Sequence, residues 1–255
     1  MRHEYYDRDD LLAEPYPEAW EAYLRNNVAH YRLLSEEERA RLRNDARVLV
    51  AEKNWEGCGG LRLTDEIKVT IAAQASLLLL GMTHDYFHRV LSILVYPSSF
   101  IIPGGEWMDD FGIGQPAGGQ AVYRGPVIVA WDAVLKEGRE PSWGHNLVIH
   151  EFAHQLDFLD GSVNGTPLLA SDEQADRWHD VMTAAYTKLQ RKLRRGRRTF
   201  LGPHASKNEG EFFAVASERF FTRPGRLRRL HPEVYEVLRE YYGVEPVKWF
   251  AGKGG

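Results

Sequence analysis

Apolar residues recur at intervals of three and four through most of this chain, a spacing that predicts a mainly helical protein. After an acidic and aromatic opening, Pro15 and Pro17 precede a short helical stretch, EAWEAYLRN. Ser35 to Glu38 reads as a capping box, in which the serine hydroxyl and the glutamate carboxylate satisfy each other's backbone amides, and it opens a helix to about residue 52. Thr64 starts another that ends near Gly81. Its apolar run, IAAQASLLLLGM, is too short and too interrupted to cross a bilayer, so it reads as a buried helix. Between these two helices, NWEGCGGLRLT reads as a glycine-broken connection. The period then changes: β-prone runs at residues 91–96, 120–123 and 127–131 predict a small twisted sheet. Asp132 reads as the cap of a short helix. Residues 147–157, LVIHEFAHQLD, form a buried helix closed by Asp160 and Gly161. A second capping box at Ser171 to Gln174 opens a helix through about residue 193. Asn208 to Glu211 opens one containing FFAVASERFF, and Pro224 and Pro232 break the chain before a last helix over 232–242. The predicted class is α+β, mostly helical, with a small sheet beside the 147–157 helix. Residues 1–90 read as a helical part packed on the core and 91–255 as the part that carries the sheet and the 147–157 helix, together one continuous unit.

Composition narrows the functional classes. With 255 residues, 44% of them hydrophobic, the chain can bury one large core. A formal charge of -4 gives no overall drive toward nucleic acid or anionic lipid, so neither a membrane nor direct nucleic-acid contact is expected. The basic run KLQRKLRRGRR has no interleaved aromatic residues and reads as a solvated helix end. Cys58 has no partner for a disulfide and no CxxC neighbour, so it reads as a free thiol. The charged opening MRHEYYDRDD has no apolar core of a signal segment, and the expected compartment is the cytoplasm. The glycine-rich stretch IIPGGEWMDDFGIGQPAGGQ lacks both the GxxxxGK[ST] pattern and the strand–GxGxxG–helix context of a phosphate loop, and reads as a loop over the sheet or cleft.

The chemistry concentrates in the 147–157 helix. His150 and His154 stand four residues apart, about 6 Å along a helix, so both imidazoles leave one face and can meet one metal ion. Neutral imidazole suits Zn²⁺, and a site that keeps a water needs one further protein ligand. Glu151 sits beside the ligand pair, where a general base for that water belongs. Asp157 is placed either to orient a ligand histidine through its other ring nitrogen or to face solvent. His84 and His88 share the spacing of four but lack the glutamate, and read as a surface turn. Three carboxylates compete for the third ligand position. Asp160 has the spacing of the metzincin pattern, but Asp157 stands where that pattern's turn needs glycine. Glu211 and Glu218 lie two turns apart on one face of a later helix, and either can point at the metal.

HEFAHQLD, followed some fifty residues later by NEGEFFAVASERFF, resembles the Mlc titration factor A family of bacterial zinc peptidases, with a metal site similar to that of the anthrax lethal factor catalytic domain. The resemblance runs from the β-prone segments to the C-terminus. It implies a zincin-type metallopeptidase carrying one Zn²⁺ per chain, with the glutamate before Phe-Phe, Glu211, as third ligand and Glu218 as a supporting group. It also implies a cytosolic protein with aminopeptidase activity on peptide substrates, in which Glu151 is the base. The alternative it implies is a regulatory protein that sequesters a transcriptional repressor, zinc being mainly structural. The family places a tyrosine seven residues before the glutamate ligand, near the scissile carbonyl. This chain has His204 there, expected to donate to the oxyanion, with a ligand role or none as the alternatives.

Overall fold

The computed structural model describes residues 7–98 and 125–251. Along these the chain runs α1 (Arg8–Ala13), α2 (Glu18–Asn27), α3 (Glu36–Glu52), β1 (Asn54–Gly57), α4 (Asp65–Ser76), β2 (Ser92–Tyr96), β3 (Val127–Ala130), α5 (Trp131–Arg139), α6 (Leu147–Asp157), α7 (Asp172–Arg194), α8 (Glu209–Thr222), α9 (Pro224–Leu230), α10 (Pro232–Tyr242) and α11 (Pro246–Phe250). The class is α+β and mostly helical.

Local signals account for most helix starts. In α3 the Ser35 hydroxyl accepts the Glu38 N–H at 3.2 Å, and the Glu38 carboxylate accepts the Ser35 N–H at 2.8 Å. Thr64 and Ser171 cap α4 and α7 in the same way. In α7 the second half of the box is displaced by one residue, because Gln174 reaches the Ala170 N–H at 2.8 Å instead. Asp132 is not the cap of α5. Ala130 holds that position, and Asp132 lies in the first turn, where its carboxylate accepts the Ala133 N–H.

The described sheet is parallel, in the order β1-β2-β3, with Asn54 opposite Ser92 and Ile93 opposite Val127. Parallel neighbours need a crossover, and α4 supplies it between β1 and β2. β1 falls in the stretch read as a connection. Its four residues, NWEG, contain one apolar side chain and are half-exposed at the sheet edge, so no alternating pattern marks them. The predicted strand at 120–123 lies outside the described residues, as does the glycine-rich stretch, and Trp131 opens α5 rather than ending β3.

α8 is the central element. Phe213 meets Trp178 of α7 and Tyr241 of α10, while Phe220 meets Tyr235 and Tyr242 and Phe221 meets Trp249 of α11. Each buried phenylalanine contributes about 1.5–3 kcal/mol. With aromatic residues in pairs two turns apart, the helix is covered on every side, which takes the carboxylates of its opposite face into the interior. One hydrophobic cluster runs from Leu24 to Trp249. Among the described residues, no helix is long and apolar enough to cross a membrane.

Candidate metal centre and its cavity

The start of α6 is held by three acceptors. The Asn146 side chain accepts the Ile149 N–H at 2.9 Å, Glu137 of α5 accepts the Leu147 N–H at 2.7 Å, and Glu218 of α8 accepts the Asn146 N–H at 2.6 Å. These are the donors a helix start leaves without partners, and burial makes each costly to leave unmet. The Asn146 amide in turn donates to Gln74 of α4, which donates to the Val134 carbonyl. α6 is therefore anchored to three neighbouring helices before its first histidine.

α6 and α8 run antiparallel: Glu218, late in α8, meets Asn146 at the start of α6, while Glu211, early in α8, meets the histidines further along it. The two glutamates, seven residues apart, are separated by about 10 Å along α8, close to the roughly 12 Å along α6 from its cap to His154. Glu211 Oε2 lies 3.2 Å from His150 Nε2 and 3.6 Å from His154 Nε2, and the two histidine nitrogens are 3.2 Å apart. All three side chains are buried. Among the described residues, this is the group of metal-ligating side chains whose ligand atoms converge within 4.8 Å of one another.

The donor set fits a metal ion. Two imidazole nitrogens and a carboxylate oxygen present lone pairs to one point, and among the described residues no hydrogen bond of good geometry satisfies the buried Glu211 Oε2, although His204 Nε2 approaches it. Burial acts to raise the Glu211 pKa, and His150, His154 and His204 outweigh it, holding the carboxyl far below its ordinary range and ionised. Asn208 caps α8 by accepting the Glu211 N–H at 2.8 Å. The Glu211 carboxylate does not complete a capping box but turns to the histidines.

The other candidates fall elsewhere. Asp160 is exposed and accepts from the N–H and hydroxyl of Ser162. Glu218 is buried at the α6 start, its pKa held low against burial by His145, His150 and Arg219. Asp157 does not face solvent. It is fully buried, one oxygen accepts the Gly165 N–H at 3.0 Å, and burial pushes its pKa up to about 6 against that bond and His154. His204 opens a short turn ahead of α8, and its Nε2 lies 2.7 Å from Glu211 Oε2. His84 and His88 sit apart, near Asp45 and Asp85 respectively. Cys58 is a free thiol.

A cavity of about 550 Å³ opens beside this centre, lined by His150, Glu151 and His204 and walled by the segment from Thr199 to His204. Glu151 itself is buried. Glu137, Glu218 and Arg219 also face the cavity; Glu218 is the supporting group that the resemblance implies, whereas nothing in the sequence singles out Glu137 or Arg219. The asparagine ahead of LVIH was the one local signal for the α6 anchor, and its partners come from distant segments.

A buried His-Glu-x-x-His helix facing a glutamate of a second helix, beside an open cavity, is the arrangement of a metallopeptidase. The chain belongs to the glucose-regulated metallo-peptidase M90 family, which matches it over residues 2–243. It is 34% identical over 241 residues to an uncharacterized protein of Synechocystis, covering 93% of this chain and 88% of that one. It is 33% identical over 224 residues to Mlc titration factor A of Pectobacterium atrosepticum, covering 84% and 82%. To Mlc titration factor A of Yersinia pestis it is 32% identical over 222 residues, covering 84% and 80%.

Proposed function

We propose that the protein is a cytoplasmic zinc-dependent aminopeptidase in which His150, His154 and Glu211 hold one zinc ion and Glu151 is the general base. The observation that carries this reading is the convergence of the three ligand atoms at a cavity that Glu151 also lines. Zinc bound there supplies Lewis-acid chemistry, polarising a carbonyl and acidifying water. Glu151 takes the proton from the attacking water and returns it to the leaving amine. His204 donates its N–H to the oxyanion, the part a tyrosine plays in the family pattern. Glu218 and Glu137 keep α6 in register by holding its first amides. They are also the cavity carboxylates that a free α-amine meets. The peptide lies extended along an edge strand, held by backbone hydrogen bonds. The whole chain acts as one unit, since β1 of the N-terminal part pairs with β2 of the remainder.

The name that two of these relatives carry, Mlc titration factor A, supports a second output, capture of a transcriptional repressor; in that reading zinc is mainly structural. An intact Glu151 favours catalysis, because a structural site has no use for a base. Zinc-loaded protein should hydrolyse an aminoacyl reporter with a free amine and lose that activity to a chelator. Equal hydrolysis of the acetylated reporter would remove the aminopeptidase assignment. No hydrolysis of either at full zinc occupancy would favour the regulatory reading.

A further inference from the structure

Two stretches break the charge pattern of this chain. Residues 188–198 carry seven Lys and Arg and residues 223–231 carry four, with no Asp or Glu in either; the rest of the chain has 21 basic residues against 36 acidic ones. The fold brings both stretches to one side of the cavity, and Phe200 joins them. Phe200 lines the cavity, the Arg226 guanidinium lies 5.0 Å from its ring centroid, and its ring stacks on His231 at 6.4 Å. Burial and the nearby Lys192 and Lys188 of α7 hold His231 below its ordinary pKa. The C-terminal end of α7, the loop after it and α9 thus form one basic face, and its inner edge is the cavity wall.

The cations of this face are unmatched. Arg194, Arg195, Arg197, Arg198, Arg226 and Arg229 are exposed, and among the described residues none has a carboxylate within ion-pair distance. Elsewhere on the surface Arg8, Arg25, Arg43, Arg177 and Arg239 are each paired with a glutamate, and Arg32, Arg41 and Arg89 donate to backbone carbonyls. Helix dipoles account for a cation or two in the last turns of α7 and α9. They do not account for Arg195, Arg197 and Arg198, which lie beyond the end of α7 and run directly into the cavity wall.

We propose that this face extends the cavity and docks an acidic stretch of a polypeptide substrate, whose residues at the scissile bond occupy the cavity while Asp and Glu further along lie over the arginines. The inference rests on the peptidase reading. A polypeptide is favoured over a nucleic acid because the aromatic ring at this face, Phe200, is already packed against Arg226 and His231, and neither basic stretch adds a Phe, Tyr or Trp on which bases stack.

The test uses Glu151→Gln protein and a labelled peptide with a neutral half and a glutamate-rich half, beside its glutamine-for-glutamate counterpart. Fluorescence anisotropy should show about tenfold tighter binding of the glutamate peptide at low salt, an advantage that shrinks as salt rises. R194Q/R195Q/R197Q/R198Q and, separately, R226Q/R228Q/R229Q should remove it. In otherwise native protein both sets should leave hydrolysis of a short neutral reporter unchanged. Equal binding of the two peptides, or an advantage that survives both sets, overturns the proposal. Tighter binding of an RNA strand of equal charge overturns it in favour of nucleic acid, and self-association dissolved by the same variants overturns it in favour of a second copy of the chain. Salt-sensitive binding of the acidic peptide, with native protein that hydrolyses no reporter, supports the docking face and counts against the peptidase reading.

Discussion

The Glu218 carboxylate accepts the backbone N–H of Asn146 at 2.6 Å, across 72 residues of sequence, and so fixes the start of the helix that carries His150 and His154. The same helix, α8, presents Glu211 to those histidines. Two glutamates two turns apart hold α6 at its cap and at its chemistry, and a shift of one helix against the other disturbs both.

Glu218→Ala leaves the Asn146 amide buried without an acceptor, a cost of about 1–3 kcal/mol. Because the histidines lose part of their positioning, zinc affinity should fall by about 10–100-fold while the one-to-one stoichiometry persists at saturation. Chemical denaturation and zinc titration read these two effects. Unchanged stability and affinity would show that the contact with Asn146 positions nothing.

Glu211→Ala should abolish tight zinc binding, whereas Asp160→Ala, at an exposed position where the carboxylate accepts from Ser162, should leave the metal content unchanged. Metal analysis of the purified variants decides it. The reverse result would assign the site to a different ligand scheme.

His204 lies close enough to the Glu211 carboxylate, at 2.7 Å, for its ring N–H to reach the reacting region. As an oxyanion donor it is worth about 10²–10³ in kcat. His204→Ala should show that loss with KM and zinc content nearly unchanged, and His204→Tyr should restore activity. Loss of zinc in the alanine variant would make His204 a ligand, and full activity would make it a bystander.

His30 is fully buried and its Nε2 lies 3.0 Å from the Phe221 carbonyl, at the far end of α8. Burial lowers its pKa from 6.5 to about 4, with the Phe221 bond opposing. Above pH 6.5 the ring is neutral in both folded and unfolded chains and contributes nothing to pH dependence. Below that the unfolded chain gains a proton that the folded one refuses, so stability falls between pH 6.5 and 4, by about 3 kcal/mol. His30→Gln removes this term. The stability gap between native and variant protein should narrow by that amount over the window, and a gap constant with pH would contradict the assignment.

Much of this was legible in the chain because it is local. Ser35, Thr64, Ser171 and Asn208 each announce a helix start within four residues, and α10 begins and ends where its proline and apolar spacing place it. β1 was not legible, since a four-residue edge strand acquires its pairing from β2 and carries no pattern of its own. The place of Glu137, and the partner of Glu218 as a supporting group, were hidden for a related reason. Each bonds a backbone amide of α6, a relationship that side-chain periodicity does not encode. Glu211 could be singled out only by resemblance, because its spacing to Asn208 equally describes a capping box; the fold turns its carboxylate to the histidines instead.

The role proposed for Glu151 is that of a base on a water at a metal held by its neighbours. Zinc content and turnover of a free-amine reporter, measured together on Glu151→Gln and native protein, test it most directly. The variant should keep full zinc occupancy and an unchanged fold while losing turnover by at least about 10²–10⁴. Near-native turnover at full zinc occupancy would contradict it.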